Sequence, residues 1–533
     1  MARNIADLVE HAVDAFPERL AVVCGDEERT YAALEERANR LAHHLAAHGV
    51  GPGSHVGIYA RNSMVVVETI VAIYKLRAVF ININYRYVAN ELRYVLSDSE
   101  CSALVHDRGL SGAVATALPH ATAVKAVVVI EDGSAAEYAS FAAVPFEEAL
   151  AAGSPERDFG PRSADDIYML YTGGTTGYPK GVVWRHEDVW RALGGGIDHV
   201  SGEVLADEWA QVERGRQMPL TRLCIAPLIH GSAQWSLLPS LFQGETVVLL
   251  PRFDPRAMWR EIERRKVNVV VLVGDAMARP FIEEYLAGDY DGSSILSIST
   301  NAAVFSPSVT EQIVTAFPHA LLSEAVGSSE MGFVGIGFKT PGAGSDGPRI
   351  CAGPHTIIID QDGKRAAPGV AGRLGRGVHI PQGYYKDPAT TAALFQEVDG
   401  LRYAFSGDWA RYEEDGTITL LGRGNTSINT GGEKVYPEEV EGALKSHPDI
   451  FDALVLGVPD ERLGQRVAAI VQPRHGCTLD LPSLELHLRT LIAGYKVPRS
   501  VWLVDQVGRT VSGKQDYRWA RTYVQDHPPA VAA

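Results

Sequence analysis

Residues 171–181 have the sequence Tyr-Thr-Gly-Gly-Thr-Thr-Gly-Tyr-Pro-Lys-Gly and follow Asp166–Leu170, an apolar run that predicts the end of a buried strand. Glycines let the backbone curl so that its N–H groups face an anion, threonines add hydroxyl donors, and Lys180 adds a mobile positive charge. Two glycines alone would indicate only a surface turn. This density of glycine, threonine and lysine favours a loop that holds phosphates.

This loop differs from a Walker A motif, because Gly181 follows Lys180 where that motif has serine or threonine. A second stretch, Gly508-Arg509-Thr510-Val511-Ser512-Gly513-Lys514-Gln515, has the Walker spacing but ends in glutamine. The hydroxyl that would bind Mg²⁺ is therefore missing there. We expect neither stretch to be a P-loop.

The bulk composition excludes several classes of protein. The chain has 533 residues, 46% of them hydrophobic, which is too long for one core and predicts at least two domains. A formal net charge of -16, without a basic stripe, argues against nucleic acid as a partner. No apolar stretch has the length of a signal peptide or of a membrane span, which needs about 18 residues. Five scattered cysteines predict reduced thiols, so we expect a cytoplasmic protein.

The N-terminal part alternates helical and strand patterns. In Tyr31–Val50, apolar residues recur at helical spacing, and Ala257–Lys266 is a second helical stretch. Short β-branched runs occur at Val56–Tyr59, Ala126–Ile130, Val247–Leu250 and Val267–Val273. This alternation predicts an α/β architecture with buried parallel strands.

A domain boundary is predicted at Gly422-Arg423-Gly424-Asn425-Thr426. Before it, the turn Glu413–Gly416 leads into a strand at Thr417–Leu421. After it, a new pattern predicts the helix Glu438–Ser446, the strand Asp452–Val458 and the helix Ser483–Leu491. We expect a large domain over 1–422, a hinge over 423–426 and a small α+β domain over 427–533.

Several short motifs share their order with a known family: Thr172–Lys180, Gly327-Ser328-Ser329-Glu330, Gly383-Tyr384-Tyr385, Ser406-Gly407-Asp408, Gly422-Arg423, Gly431-Gly432-Glu433-Lys434 and Gly513-Lys514. In them the chain resembles the adenylate-forming (ANL) acyl-CoA synthetases over nearly its whole length. The resemblance implies a ligase that uses ATP and Mg²⁺ to convert a carboxylic acid into an acyl-AMP, which coenzyme A then attacks. It also implies parallel-type sheets and a small barrel-like subdomain in the large domain, with a mobile C-terminal lid.

The resemblance assigns roles to individual residues. Lys514 would contact the carboxylate and the α-phosphate, where a positive charge offsets the repulsion between two anions, and Glu330 would share in catalysis. Glu330 and Thr175 would hold Mg²⁺. The implied nucleotide-binding residues are Thr172, Gly173, Gly174, Thr175, Thr176, Gly177, Lys180, Ala302, Ala303, Glu324, Val326, Gly327, Ser328, Ser329, Asp408 and Arg423.

The remaining assignments concern the acyl group, coenzyme A and the hinge. His230, Trp235 and Gly327 would line the acyl pocket, although a histidine or tryptophan among apolar residues is more often simply part of a core. Gly431, Gly432 and Lys434 would bind coenzyme A, and Asn425 would be the hinge residue. These assignments, like the others, are based on the order of the motifs along the chain.

The chain departs from the family pattern around the adenine. Val326 stands where an aromatic residue commonly stacks on the base, and Thr300-Asn301-Ala302-Ala303 replaces a glycine-rich run. Asn425 replaces the usual hinge aspartate or lysine, and Gly372-Arg373-Leu374-Gly375 lacks a usual glutamate. These departures leave the efficiency of adenylation open.

Two segments, Tyr178–Asp188 and Gly432–Pro437, are most similar to actinobacterial synthetases that activate steroid side-chain acids. We therefore expect a bulky polycyclic acid, steroid or terpenoid, from lipid breakdown or natural-product assembly. Two alternatives stay open: a ligase that loads a carrier protein, and a half-active homologue that forms the thioester only from supplied acyl-AMP. The particular acid and the oligomeric state, with a homodimer as one candidate, also stay open.

Overall fold

The computed structural model describes residues 3–532 except 139, 173–178, 199–200, 302–304, 340–348, 354, 424–427, 431–432, 461–463, 493 and 511–512. The helices in these residues are α1 Ile5–Ala15, α2 Tyr31–Ala47, α3 Met64–Lys75, α4 Ala89–Asp98, α5 Ser111–Ala117, α6 Phe146–Ala152, α7 His186–Leu193, α8 Ala210–Gln217, α9 Gly231–Gln243, α10 Pro255–Arg265, α11 Gly274–Ala287, α12 Pro307–Ala316, α13 Pro388–Leu394, α14 Pro437–Lys445, α15 Leu481–Leu491 and α16 Tyr517–Asp526.

The strands of the described residues are β1 Leu20–Cys24, β2 Glu27–Thr30, β3 His55–Tyr59, β4 Val79–Asn82, β5 Cys101–Asp107, β6 Ala126–Ile130, β7 Val144–Pro145, β8 Ile167–Thr172, β9 Lys180–Arg185, β10 Thr221–Cys224, β11 Thr246–Leu249, β12 Val269–Leu272, β13 Ser297–Asn301, β14 Leu321–Ser328, β15 Gly332–Lys339, β16 Arg349–Ala352, β17 Thr356–Ile359, β18 Ala371–Gly377, β19 Gly383–Tyr384, β20 Phe395–Val398, β21 Leu401–Ala404, β22 Asp408–Tyr412, β23 Ile418–Arg423, β24 Ile428–Thr430, β25 Glu433–Val435, β26 Ile450–Asp460, β27 Gly464–Pro473, β28 Ser500–Leu503 and β29 Val531–Ala532.

Two sheets with parallel strands organise the N-terminal part. One has the order β4-β3-β5-β6-β7 and is parallel throughout. The other begins with β2, then runs through the parallel strands β1-β11-β10-β12-β13-β14. The predicted α/β architecture is confirmed, because buried β-branched runs form the strands and helices cover them.

The cores lie between these layers. Side chains of α1, α2, α3 and α9 pack between the two sheets, and α10, α11 and α12 cover the opposite face of the second sheet. Side chains cap the starts of α2 and α10: the Thr30 hydroxyl accepts the Ala33 N–H, and the Asp254 carboxylate accepts the Ala257 N–H. These caps fix where each helix leaves its strand.

The second sheet changes character after β14. From β14 it continues antiparallel through β15-β16-β23-β22-β18-β21-β20, and β17 pairs with β18. These antiparallel strands extend the hydrogen-bonded path of the parallel strands. A three-stranded antiparallel sheet, β19-β9-β8, carries the ends of the predicted phosphate loop.

The C-terminal residues build a sheet of their own with the order β25-β24-β27-β28-β29, and β26 pairs with β27. Helices α14, α15 and α16 pack on it. Strand β23 continues to Arg423, two residues beyond the predicted strand end, and the hinge residue Asn425 lies outside the described residues. Among the helices described, none is long and apolar enough to cross a membrane.

A buried charge cluster joins α1, α2 and α3. The Lys75 ammonium is fully buried and lies 2.5 Å from Glu10 and 2.8 Å from Glu35. Arg162 reaches Glu10 at 2.7 Å from the segment that leads into β8. Burial alone would raise the pKa of Glu10, but the hydrogen bond from Arg162 and the charge of Lys75 lower it to about 2.

Replacing Lys75 with methionine should lower the free energy of unfolding by about 3 kcal/mol, because two buried carboxylates lose their shared cation. Since Glu10 titrates below its ordinary value of 4.5 in the folded protein, its contribution is complete above that pH and is lost as the pH falls towards 2. Urea unfolding at neutral pH and at pH 4 measures both effects. Arg264→Met, which removes an exposed ion pair with Asp26, is the control and should change little. Equal decreases in the free energy of unfolding of the two variants would contradict the stabilising role of the buried Lys75.

Candidate active site

A cavity of about 2840 Å³ opens where the carboxyl ends of the parallel strands meet the start of α9 and the turn that carries Lys514. Ligands bind at this edge of parallel sheets in many α/β folds. The described residues among those predicted for the site meet here: Thr172, Lys180, His230, Trp235, Glu324, Val326, Gly327, Ser328, Ser329, Glu330, Asp408 and Lys514 all line the cavity.

The predicted phosphate loop connects two antiparallel strands. Thr172 ends β8 and Lys180 begins β9, and these two residues are paired across the ladder. The residues between them that were predicted to bind phosphate, namely Gly173, Gly174, Thr175, Thr176 and Gly177, lie outside the described residues. The loop is therefore closed at its base by strand pairing, unlike the strand-to-helix connection of a P-loop.

Lys180 has a partner that the sequence did not reveal. Its ammonium donates to the carboxylate of Asp387 at 2.6 Å and to the hydroxyl of Thr390 at 2.8 Å, both at the start of α13. Hydrogen bonds from Lys180 and Thr390 hold the pKa of Asp387 well below its usual range. A phosphate at this loop would compete with Asp387 for the lysine. The only sequence signal was the position of Asp387 just after Gly383-Tyr384-Tyr385.

Glu330 lies in the tight turn between β14 and β15. The Tyr384 hydroxyl donates to its carboxylate at 3.1 Å, and the Trp184 indole N–H donates to the Ser329 carbonyl at 3.0 Å. Gly327 is required by close approach, because a Cβ atom there would lie 2.3 Å from the Gly332 carbonyl oxygen. A carboxylate at the cavity wall is a suitable ligand for Mg²⁺, which commonly takes its further oxygens from the substrate phosphates.

The predicted adenine side of the cavity contains a hydrogen-bonded, ion-paired carboxylate and an apolar side chain. The Glu324 carboxylate is buried, accepts the Phe305 N–H at 2.9 Å and pairs with Lys339 at 2.8 Å. Its contacts in the structure are therefore with the protein, and its nucleotide role stays a prediction. Val326 is half-buried at the cavity wall. Ala302 and Ala303 lie outside the described residues.

Asp408, at the start of β22, is paired in the ladder with Arg423 at the end of β23. The Ser406 hydroxyl donates to the Asp408 carboxylate at 2.5 Å. Strand pairing thus brings together the two residues predicted for the ribose, at the level of the backbone. The side chains of Arg423 and Lys434, and all of Gly431 and Gly432, are outside the described part of the chain.

His230 directly precedes α9 and is largely buried. Burial lowers the pKa of its imidazole to about 4, and the positive charges of Lys514 and Arg86 contribute in the same direction. Its Nε2 atom has no hydrogen-bond partner among the described residues. The ring is therefore neutral at physiological pH, and it lies close enough to Lys514 for that positive charge to lower its pKa.

The segment before His230 is tied to the strand that leads into the phosphate loop. The Asn82 amide donates to the Ile229 carbonyl at 2.6 Å and to the Tyr171 carbonyl at 2.8 Å. This buried asparagine was missed by the sequence reasoning, because its partners are remote in the chain. On α9, the Trp235 indole donates to the Tyr168 hydroxyl at 3.2 Å, which fixes the predicted pocket wall.

Lys514 lies in a turn closed by an antiparallel bridge between Arg509 and Gln515. The Thr510 N–H donates to the Lys514 carbonyl, and the Lys514 N–H donates to the Thr510 hydroxyl. These backbone donors are used inside the turn, so this stretch does not present a P-loop cradle. Gly513 has a φ of 77°, and an added Cβ would lie 3.7 Å from Ala276 on α11.

One buried ion pair joins α14, which packs on the C-terminal sheet, to α11, and a hydrogen bond connects the Lys514 turn to the same helix, α14. The Lys445 ammonium lies 3.4 Å from the Asp275 carboxylate, and both side chains are about one-tenth exposed. Gln515 donates to Glu441 at 2.9 Å, one helical turn from Lys445 on α14. At the rim of the same interface, Arg474 pairs with Glu283 at 2.7 Å with both side chains about one-third exposed.

Sequence comparison places the chain among enzymes of known type. It is 52% identical to a 3-oxocholest-4-en-26-oate–CoA ligase of Rhodococcus rhodochrous, over 98% of this chain and 96% of that protein. It is 50% identical to a medium/long-chain-fatty-acid–CoA/3-oxocholest-4-en-26-oate–CoA ligase of Mycobacterium tuberculosis, over 99% of this chain and 97% of that protein.

The fold is also that of solved structures. An anthranilate CoA ligase in complex with anthranoyl-AMP superposes with a TM-score of 0.84 at 20% identity, over 98% of this chain and 97% of that chain. Residues 9–385 match the AMP-binding enzyme family, and residues 439–514 match the AMP-binding enzyme C-terminal domain. The chain is therefore a member of the AMP-binding enzyme family.

Proposed function

We propose that this protein is an acyl-CoA ligase that activates a bulky hydrophobic acid in two steps. The acid and ATP give acyl-AMP and pyrophosphate, and the thiol of coenzyme A then displaces AMP. The observation that carries the proposal is the convergence of Lys180, Glu330, His230 and Lys514 on one cavity. This set offers cations for the anionic reactants from two separate parts of the chain.

In the first step an oxygen of the carboxylate attacks the α-phosphorus, and the bond to the pyrophosphate oxygen breaks with its electron pair. The cation of Lys514 offsets the repulsion between carboxylate and phosphate and stabilises the charge that builds up on phosphorus. Lys180 exchanges Asp387 for the terminal phosphates. A neutral His230 fits this arrangement, because a second cation beside Lys514 would cost desolvation without a partner.

Mg²⁺, when bound, would neutralise phosphate charge, with Glu330 as its protein ligand and Thr175 as the candidate second one. Coenzyme A would reach the acyl-AMP beside Gly431, Gly432 and Lys434. We also propose the hinge at Asn425, between a large domain over 1–422 and a lid over 427–533. The five unpaired cysteines support a cytoplasmic location.

The proposed substrate class rests on the size of the cavity and on the relatives. Pockets for small ligands commonly measure about 300–1,000 Å³, so 2840 Å³ leaves room for a nucleotide and a polycyclic acid together. Both similar ligases are named for a steroid side-chain acid, and one also for medium- and long-chain fatty acids. A steroid or similar polycyclic acid is therefore the proposed substrate.

A second candidate function is favoured by one observation. Val326 lines the cavity, and the family resemblance implies an aromatic residue stacked on adenine at this position, so nucleotide affinity would be lower. The protein would then form the thioester from acyl-AMP made elsewhere and adenylate poorly.

The proposal is tested by mass analysis of the CoA thioesters formed from a panel of acids with ATP and Mg²⁺. The panel contains 3-oxocholest-4-en-26-oate, a diterpenoid acid and straight-chain fatty acids. Thioester formation from the polycyclic acids is expected. If thioesters form only when synthetic acyl-AMP replaces acid and ATP, the second candidate is correct.

Replacing Lys514 with alanine should lower acid-dependent pyrophosphate exchange about 100-fold or more, since a charge contact made at the reacting phosphate is lost. Thioester formation from synthetic acyl-AMP should change about threefold at most, because no phosphoryl transfer remains in that step. Arg489→Ala, an exposed site on α15, is the control. Equal losses in the two half-reactions would contradict the role given to Lys514.

Replacing Lys445 with methionine should lower pyrophosphate exchange about tenfold and leave thioester formation from acyl-AMP unchanged, because the contact that positions Lys514 is weakened. The matched control is Arg474→Met, which removes the exposed pair across the same interface and should change exchange about twofold at most. If both variants behave alike, or if Lys445→Met impairs both half-reactions, the buried pair does not position Lys514.

A further inference from the structure

The acyl side of the cavity is a channel between one helix and one sheet face. On α9, Gly231, Trp235, Pro239 and Gln243 recur at intervals of four residues and all line the cavity. Opposite them, alternate residues of three neighbouring strands line it, namely Val269, Val271, Ser297, Ser299, Leu321 and Ser323. The helix stripe spans about 18 Å, so the channel runs away from the reacting centre for that distance.

The two ends of this channel differ in chemistry. The near end is formed by Gly231, next to His230, and by the carboxyl ends of the strands. The far end is formed by Gln243, the last residue of α9, and by Arg222 near the start of β10. Arg222 is in register with Val269, which is itself in register with Ser297, so these residues form the deepest row of the floor.

Arg222 is held in one orientation by Ser240 on α9 and by Glu245, which directly precedes β11. Its Nε atom donates to the Ser240 hydroxyl at 2.8 Å and to the Glu245 carboxylate at 3.0 Å, and Nη2 donates to the same carboxylate at 3.2 Å. Nη1 takes no part in these contacts. Glu245 is buried, whereas 21% of the Arg222 side chain is accessible, and Arg222 lines the cavity. Nη1 is thus the nitrogen through which the guanidinium could donate to a group in the channel.

The charge of this pair is balanced, which determines what it would recognise. Because Glu245 neutralises Arg222, the far end offers N–H donors without a net positive charge. The Gln243 amide, whose Nε2 donates to the Pro239 carbonyl at 3.3 Å, adds a polar group beside it. A neutral oxygen, as in a ketone or an alcohol, satisfies such donors. A plain alkyl end would displace water from them and give no hydrogen bond in return.

We propose that Arg222, assisted by Gln243, is a specificity-determining residue that donates a hydrogen bond to a neutral oxygen at the distal end of the acid. The inference rests on the proposed function and narrows its substrate class. The preferred acid is a long polycyclic one with a keto or hydroxyl group at the end opposite the carboxylate. Acids of the same skeleton without that oxygen are poorer substrates.

The test compares two acids that differ only at the distal end: 3-oxocholest-4-en-26-oate and the same acid without the oxygen at C3. The kcat/KM for acid-dependent pyrophosphate release is measured with the wild-type enzyme. A hydrogen bond from a charged donor corresponds to a preference of about tenfold or more for the 3-oxo acid. Dodecanoate serves as a third substrate without rings.

The variant is Arg222→Met combined with Glu245→Gln, because removing the arginine alone would leave a buried carboxylate unpaired. The preference for the 3-oxo acid should fall to about twofold or less. The kcat/KM for the 3-oxo acid should decrease, and that for the acid without the C3 oxygen should change little. The matched control is Arg37→Met combined with Glu68→Gln, a remote pair of similar burial with a contact of 2.7 Å. This control variant should prefer the 3-oxo acid to the same extent as the wild-type enzyme.

Equal kcat/KM for the two steroid acids in the wild type, or an equal loss for both in the Arg222 variant, would overturn the inference. If that variant does not fold, two further measurements test the inference. One is the ratio of kcat/KM for the two steroid acids in the single variant Gln243→Leu, and the other is the ratio of their equilibrium affinities for the wild-type enzyme. Failure of the proposed function gives a different result, since no acid would then release pyrophosphate, dodecanoate included.

Discussion

The proposed reaction depends on one constraint: a carboxylate and a triphosphate, both anionic, must meet in a protein that is itself strongly acidic. A general electrostatic field cannot achieve this at a net charge of -16, so individual cations must be held at the site. Lys180 is attached to the strand pair β8–β9. Lys514 lies in a C-terminal turn, and we propose that the buried contact of Lys445 with Asp275 across the interface with α11 helps to position it.

The surrounding strands and hydrogen bonds bring the binding groups together at the cavity. The parallel strands end together at the cavity, the Asn82 amide ties the His230 segment to the strand before the phosphate loop, and the antiparallel strands bring Asp408 to the same place. Burial and the neighbouring positive charges lower the pKa of His230, which keeps it uncharged.

Much of the fold followed from local patterns. The helix of Tyr31–Ala47 and the strand Ala126–Ile130 were predictable, because apolar periodicity and β-branched runs are properties of the segment itself. The antiparallel continuation of the large sheet was not, since strand order depends on pairings between distant segments. For the same reason no local signal marked Asp387 as the partner of Lys180, or Asp275 as the partner of Lys445. The predicted site residues came from motif order, and those of the phosphate loop and of the coenzyme A site stay predictions.

The most direct measurement of the central claim is a rapid-quench experiment with wild-type enzyme, a 3-oxo steroid acid, ATP and Mg²⁺ in the absence of coenzyme A. Acyl-AMP and pyrophosphate are expected in equal amounts, close to one per enzyme, and the acyl-AMP should be converted to thioester when coenzyme A is added. Absence of acyl-AMP under these conditions, with thioester formed readily from synthetic acyl-AMP, would contradict it.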